Sequence, residues 1–166
     1  GGYTASFKEG VFKNVLHFDV ASLYPSLLLM IGRNPKKDTE GVFIPMLEQL
    51  REYRFKFKKL ARETDDPVLA SEYNARQTSF KILINSFYGY LGFAGARFGD
   101  SELAAETTAK GREILKSLIS FFDEEGCEPL EADTDGIYVS AHGYFDHAES
   151  LLAKAQRILP EGIELE

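Results

Sequence analysis

The spacing of apolar and polar positions divides the chain into a strand, a series of helices and a later pair of strands. Residues 15–20 are apolar at most positions and read as a strand that reaches Asp19 near its end. Ser22 stands where a helix N-cap belongs, and Pro25 falls in the first turn, where a missing N–H costs nothing. The run Leu27-Leu28-Leu29-Met30-Ile31 predicts a buried helix, stopped by Gly32 and Pro35, with a polar loop over 36–41. From Pro45 a helical pattern continues to Glu63. Thr64-Asp65-Asp66-Pro67 then reads as a turn, Asp66 capping a second long helix over 68–88 with Pro67 at its first position. Two long helices joined by four residues predict an antiparallel hairpin inserted into the domain.

Glycines at 89, 92, 95 and 99 predict a break into loop or irregular strand. Ser101 reads as the cap of a further helix, whose stripe of Gly111, Ile114, Leu115, Leu118, Phe121 and Phe122 keeps helical spacing until Gly126. Short strands at 130–132 and 137–141 flank Asp133-Thr134-Asp135-Gly136, the pattern of a β-hairpin. A last helix covers 145–159 and ends at Pro160. This order predicts an α+β fold: an antiparallel sheet with helices on one face, carrying an inserted helical hairpin.

Composition narrows the class. With 166 residues and 44% hydrophobic content the chain can form one compact domain with a core. No apolar run approaches the length of a membrane span, and the first ten residues lack the apolar stretch of a signal peptide. The single cysteine, Cys127, allows no intrachain disulfide, suits a reducing compartment and reads as a buried thiol after a helix end. A net charge of −7 argues against a basic nucleic-acid-binding domain. The charge is uneven, however: positions 51 to 62 carry Arg51, Arg54, Lys56, Lys58, Lys59 and Arg62 against Glu52 alone. A site for divalent metals must itself be acidic, so an acidic domain can still handle phosphates.

The candidate chemistry begins with Asp133 and Asp135. In an extended strand, positions i and i+2 face one side, and two carboxylates so placed need a cation between them. Alone, Asp-x-Asp-Gly is equally the signature of a plain turn. Asp19 adds a charge at the end of an apolar strand, followed at once by a helix start whose free N–H groups suit a phosphate. Ser22 fits there either as a simple cap or as part of that phosphate site. On the hairpin, Arg54 and Lys58 share one helix face, as do Lys81 and Asn85, with Gln77 a turn earlier and Tyr88 near the base. The cations form either a solvated face or a grip on a triphosphate.

Three motifs now stand in order. Asp19-Val20-Ala21-Ser22-Leu23-Tyr24-Pro25-Ser26 resembles motif A of the family B DNA polymerases, Lys81-Ile82-Leu83-Ile84-Asn85-Ser86-Phe87-Tyr88-Gly89 their motif B, and Asp133-Thr134-Asp135-Gly136 their motif C. The resemblance covers essentially the whole chain and implies palm and fingers only: 1–44 as the first part of the palm, 45–90 as the fingers hairpin, 91–166 as the second part of the palm. Gly1-Gly2 resembles the end of the linker that follows the proofreading exonuclease.

By this resemblance the activity is DNA-directed DNA synthesis, a nucleotidyl transfer from a dNTP to the 3′-hydroxyl of primer-template DNA. Asp19, Asp133 and Asp135 are the catalytic carboxylates. Two Mg²⁺ ions, replaceable by Mn²⁺, are held chiefly by Asp19 and Asp135 with the Val20 carbonyl, and Asp133 is a weaker or indirect ligand. Ser22, Leu23 and Tyr24 meet the triphosphate, Tyr24 also lying beneath the sugar to exclude a 2′-hydroxyl. Arg54, Lys58 and Lys81 bind phosphates, and Asn85 and Tyr88 shape the pocket of the nascent base pair. The resemblance also implies exonuclease and thumb domains in a parent chain, no membrane partner, and an intracellular setting: cytoplasm or nucleoid in a bacterium or archaeon, nucleus in a eukaryote. Without a thumb, this stretch alone is expected to bind Mg²⁺ or Mn²⁺ weakly and extend primers little.

One position departs from the pattern. Where the family commonly has an aromatic two residues before the motif C aspartates, this chain has Glu131, which reads either as an altered primer contact or as a solvent-facing strand residue. Other palm-type transferases, such as reverse transcriptases and nucleotide cyclases, share the paired aspartates but lack the pattern from Lys81 to Gly89. A degenerate palm kept as a scaffold or subunit-binding module is the alternative from a different class, and the loss of a carboxylate is its expected mark.

Overall fold

The computed structural model, which describes residues 2–166, builds one antiparallel sheet from strands far apart in sequence. In chain order the elements are β1 (Thr4–Ser6), β2 (Val15–Asp19), α1 (Leu23–Ile31), α2 (Phe43–Glu63), α3 (Pro67–Gly92), α4 (Ser101–Glu124), β3 (Glu128–Asp133), β4 (Gly136–Ser140) and α5 (Ala148–Ile158). The strand order is β1-β3-β4-β2. The α+β class expected from the pattern is the one observed. The chain forms two units, one made of the residues up to Leu27 with Ala105–Glu166, the other of Leu28–Ala104, so that both divisions fall inside helices, α1 and α4.

In the first unit the sheet alternates with period two. Phe18, Leu130, Ala132, Ile137 and Val139 point into a core, and His17, Glu131, Asp133 and Tyr138 point to solvent. The core is completed by Leu23 and Leu27, by Ile114, Leu115, Leu118 and Phe122 of α4, and by Leu151 and Ala155 of α5. Phe18 stacks on Phe122 at 4.8 Å between centroids. The helices therefore cover one face of the sheet and leave the other open. Cys127 is buried at the entrance to β3, where burial and then the nearby Glu125 carboxylate push its thiol up.

In the second unit α2 and α3 run antiparallel, zipped by aromatic pairs whose numbers rise along one helix as they fall along the other: Phe43 with Phe87, Tyr53 with Phe80, Phe57 with Phe80 and Tyr73. Each such pair adds on the order of 0.5–1.5 kcal/mol beyond the area it buries. Asp66 caps α3 as its sequence predicts, its Oδ1 accepting from the Val68 amide at 2.8 Å and the Leu69 amide at 3.3 Å, with Pro67 first in the helix. The start of α2 is capped from the preceding loop: the Phe43 amide donates to Asp38 Oδ2 at 2.7 Å and the Ile44 amide to Asn34 Oδ1 at 2.8 Å.

Several local expectations are corrected. Helix α2 begins at Phe43, two residues ahead of Pro45, because Asp38 and Asn34 satisfy its first amides and Pro45 has none to satisfy. Helix α3 continues through Gly89 to Gly92, since Leu91 is fully buried in the second core and holds the last turn down; the break comes at 93–99. The cap of α4 is Asp100, not Ser101, its Oδ1 accepting from the Leu103 amide at 3.0 Å and its Oδ2 from the Lys36 amide at 2.9 Å. Burial pushes the Asp100 carboxyl up, but the Leu103 and Lys36 amides outweigh it and hold the group below its ordinary value. The final helix begins as a 3-10 turn, Phe145–His147, and becomes α-helical at Ala148. Strand β1 carries no pattern in three residues and has no counterpart in the sequence reading.

Candidate active site

The site of the first unit is assembled where β2, the β3–β4 turn and the start of α1 meet. Strand register puts Asp19 opposite Gly136, and Gly136 is also the partner of Asp133. Gly136 thus lies between the strands that carry the two aspartates. A Cβ there would sit 2.6 Å from His17 Nε2 and 3.4 Å from Asp19 Oδ1, so the glycine is what lets these side chains lean over β4. The Val20 amide donates to the Asp135 carbonyl at 2.8 Å, fastening the end of β2 to the turn. Asp19, Val20, Asp133 and Asp135 are therefore brought together, although Asp133 and Asp135 follow Asp19 by 114 and 116 positions in the sequence.

The means differs from the one expected. Thr134 has φ 57°, and Thr134 and Asp135 form the turn, not the strand, so period-two alternation does not align the two carboxylates. The Asp135 amide donates to the Asp133 carbonyl at 2.6 Å, and the Thr134 amide to the Tyr3 carbonyl at 2.8 Å. Asp133 is exposed and its Oδ1 accepts from the hydroxyls of Thr134 at 3.0 Å and Thr4 at 3.3 Å. Asp19 and Asp135 are half-buried.

The turn from β2 into α1 is equally tight. Ser22 has φ 48°, a conformation costing on the order of 1 kcal/mol or more for a non-glycine residue. Its carbonyl accepts the Ser26 amide at 3.0 Å, and the Ser26 hydroxyl donates back to the Ala21 carbonyl at 3.3 Å. Leu23 is buried in the core, which leaves its backbone at the helix start, and not its side chain, for any ligand. Tyr24 is half-buried. A Cβ on Gly111 of α4 would lie 3.2 Å from Tyr24 Cε1, and one on Gly2 would lie 2.9 Å from Tyr24 Oη and 3.1 Å from Thr134 Oγ1. Two glycines thus make room for the Tyr24 ring beside the aspartate turn. Gly1, paired with Gly2 in the sequence reading, lies outside the described residues.

The open face carries more than the motifs supply. His17 stacks on its register partner Tyr138 at 4.2 Å and 17°, two residues along the strand from Asp19. Glu131 is exposed, opposite Tyr138 on one side and Ser6 on the other, a solvent-facing strand residue. Glycine at 136 and at 111, where a helix would favour alanine, is the signal that could have revealed these close approaches.

The remaining candidates belong to the second unit. Arg54 and Lys58 lie half-buried on α2; Lys81 and Asn85 are exposed on α3, and Tyr88 packs partly into the second core. Arg54 and Lys81 each follow directly on a member of the stacked pair Tyr53–Phe80, which sets them at one level of the hairpin. Within the basic run, Lys59 pairs with Glu63 at 3.7 Å, and Arg51 lies over the Phe55 ring at 5.3 Å.

The donor set suits a hard divalent ion. It is all oxygen, and among the described residues no three Asp, Glu, His or Cys side chains converge on one point. A hard ion such as Mg²⁺ takes oxygen donors of this kind, one or two carboxylates with water and phosphate oxygens completing its shell.

A family model described as DNA polymerase family B matches residues 33–149. The chain is 34% identical to a DNA polymerase of Thermococcus gorgonarius over 96% of this chain and 23% of that one. It is 33% identical to the DNA polymerase alpha catalytic subunit of Drosophila melanogaster over 86% of this chain and 11% of that one. Its structure resembles that of the family B DNA polymerase from the hyperthermophilic archaeon Pyrobaculum calidifontis, with TM-score 0.77 and 25% identity, over 99% of this chain and 25% of that one. The chain spans 23% of the length of the first of these relatives.

Proposed function

The chain belongs to DNA polymerase family B, and from that premise we propose that it is the palm and fingers of a longer DNA-directed DNA polymerase. The observation that carries this reading is the joining of two remote aspartate segments by the Val20–Asp135 hydrogen bond and the Asp19–Gly136 register. The unit with the sheet acts as palm, and the unit with α2 and α3 as fingers.

Asp19 and Asp135 would hold two Mg²⁺ ions, with Val20 contributing its carbonyl. Asp133, already engaged by two hydroxyls, supports the turn and acts on the metals indirectly. Ions held there would supply Lewis-acid chemistry, lowering the pKa of the primer 3′-hydroxyl and offsetting charge on the α-phosphate and the departing pyrophosphate. Ser22, Leu23 and Tyr24 present the helix start to the triphosphate. The Tyr24 ring, wedged against Gly111, fills the space a 2′-hydroxyl would need and selects deoxynucleotides by exclusion. Arg54, Lys58 and Lys81 bind the triphosphate as long flexible cations, and Asn85 and Tyr88 line the space for the new base pair. Primer-template DNA and dNTPs are the partners. No helix of the described residues is long and apolar enough to cross a membrane.

The test is primer extension by the full-length polymerase carrying Asp19→Ala or Asp135→Ala. Loss of metal-borne charge stabilisation worth several kcal/mol predicts a fall of about a thousandfold or more in either variant. Wild-type rates in either one would refute the assignment.

A further inference from the structure

The free edge of β2, opposite its pairing with β4, is closed by the last residues of the chain. The Asp19 amide donates to the Glu166 carbonyl at 2.7 Å and the Glu166 amide returns to the Asp19 carbonyl at 2.8 Å. The Ala21 amide donates to the Glu164 carbonyl at 2.8 Å, which leaves Val20 bridged to Leu165. Both backbone groups of Asp19 therefore bond to Glu166, while on the other edge Asp19 stands opposite Gly136 of β4 and its neighbour Val20 bonds the Asp135 carbonyl.

What positions residues 164–166 is partly apolar: Ile163 and Leu165 are buried between exposed Glu164 and Glu166. It is also polar, through one side chain. Gln156, in the last turns of α5, donates from Nε2 to the Ile163 carbonyl at 2.7 Å and accepts at Oε1 from the Leu165 amide at 2.9 Å. The two edges of this segment are thus used separately. Residues 164 and 166 bond toward Asp19 and Ala21, while 163 and 165 bond toward Gln156. With one donor and one acceptor, the glutamine amide stands in for a peptide group of a neighbouring strand.

We propose that Gln156 is a positioning residue for Asp19, acting through residues 163–166. The significance for catalysis rests on the reading of Asp19 as a metal ligand. Three carboxylates near one turn repel one another before a cation arrives, and a strand end free on one edge would let Asp19 swing away. Groups that support a ligand from behind commonly govern metal affinity as strongly as some ligands do. Ile163 and Leu165 hold the segment in the core, but apolar contacts do not fix its register along β2, which hydrogen bonds do.

The experiment uses the 166-residue chain and two variants. Gln156→Met keeps the length and loses both bonds; Gln156→Glu keeps an acceptor for the Leu165 amide and loses the donor to Ile163. In Gln156→Met, hydrogen exchange at the amides of Asp19, Ala21 and Glu166 is expected to quicken about tenfold or more, with the β3–β4 amides unchanged. Gln156→Glu is expected to fall between the two. Mn²⁺ titration followed by electron paramagnetic resonance is expected to give an affinity about tenfold weaker in Gln156→Met, with Gln156→Glu recovering part of the loss. Wild-type exchange at Asp19 and Ala21 in Gln156→Met overturns the proposal, as does an acceleration spread evenly over the sheet. Should Gln156→Met not fold, the same exchange measurement on Gln156→Glu decides in the same terms. If the unaltered chain and Asp19→Asn take up Mn²⁺ alike, the metal reading of Asp19 fails, while the exchange data still judge the glutamine.

Discussion

In the unit that contains the sheet, the charged groups of the site are short side chains fastened through backbone. Asp19 is paired on both edges, Asp135 is tied by its carbonyl to Val20, and Asp133 sits at the register position shared with Gly136. In Leu28–Ala104 the charges are the opposite kind. Arg54, Lys58 and Lys81 are long side chains on helices held together by aromatic rings, with no strand register beneath them. An aspartate has two side-chain torsions, so its position is set by its backbone; an arginine or lysine has four or more and can search for a ligand. One unit trades reach for precision and the other does the reverse. The first should be sensitive to changes in hydrogen bonding and close approach, the second to changes in packing.

The strongest way to break this contrast is to remove the ring at the base of the hairpin. Phe43 is fully buried, packs against Phe87 at 4.9 Å and meets Phe98 edge-on at 6.3 Å. Phe43→Ala should cost about 3–5 kcal/mol, read as a shift of the denaturant midpoint. Amide protection should be lost chiefly within 43–100; equal loss along β2 and β4 would abolish the distinction between the two cores. A smaller effect is expected at Asp38, which is buried and caps α2 through the Phe43 amide. Asp38→Ala should cost roughly 1–2 kcal/mol, and Asp38→Asn, which keeps an acceptor, less. An unchanged midpoint in Asp38→Ala would show that packing alone starts this helix.

How much of this was legible in the sequence follows the same division. Long helices with apolar spacing, Asp66-Pro67 as a start signal and Asp-Gly after a strand are local patterns, and they gave the hairpins and the α+β class. The motif residues could be singled out one by one for the same reason. What could not be read are relations across the chain. Residues 4–6 become a strand only because β3 offers an edge, and Glu164 to Glu166 pair with Asp19 to Ala21 from the far end. Asp100 displaces Ser101 as cap because it also bonds the Lys36 amide, 64 residues earlier. The glycines misled in both directions. Gly89 has the look of a breaker, yet nothing crowds it and the helix passes through, whereas Gly111 falls within an apolar stripe and serves to admit Tyr24.

The smallest expected effect concerns a fastening in the sheet-containing unit that relies on charged side chains. Tyr144 donates to Glu125 Oε2 at 2.5 Å, and the Lys154 ammonium reaches that oxygen and the tyrosine oxygen at 2.8 Å each. The Lys154 hydrogen bond, then that from Tyr144, holds the Glu125 carboxyl below its ordinary value, while Glu125 and then Tyr144 raise Lys154 to about 12. A depressed carboxyl contributes stability above its unfolded value of 4.5, lost as pH falls through the lower native one. A raised amine contributes below its unfolded value of 10.5, lost as pH climbs toward about 12. The contribution is therefore a plateau between these limits, reduced because the groups are open to solvent. Melting temperatures of the wild-type chain and Lys154→Met, measured from pH 3 to 9, should differ most above pH 5 and converge in acid. A gap as wide at pH 3 as at pH 7 would mean that Lys154 acts through its packing over the Tyr144 ring, at 5.2 Å, and that this unit too is held there by contact and not by charge.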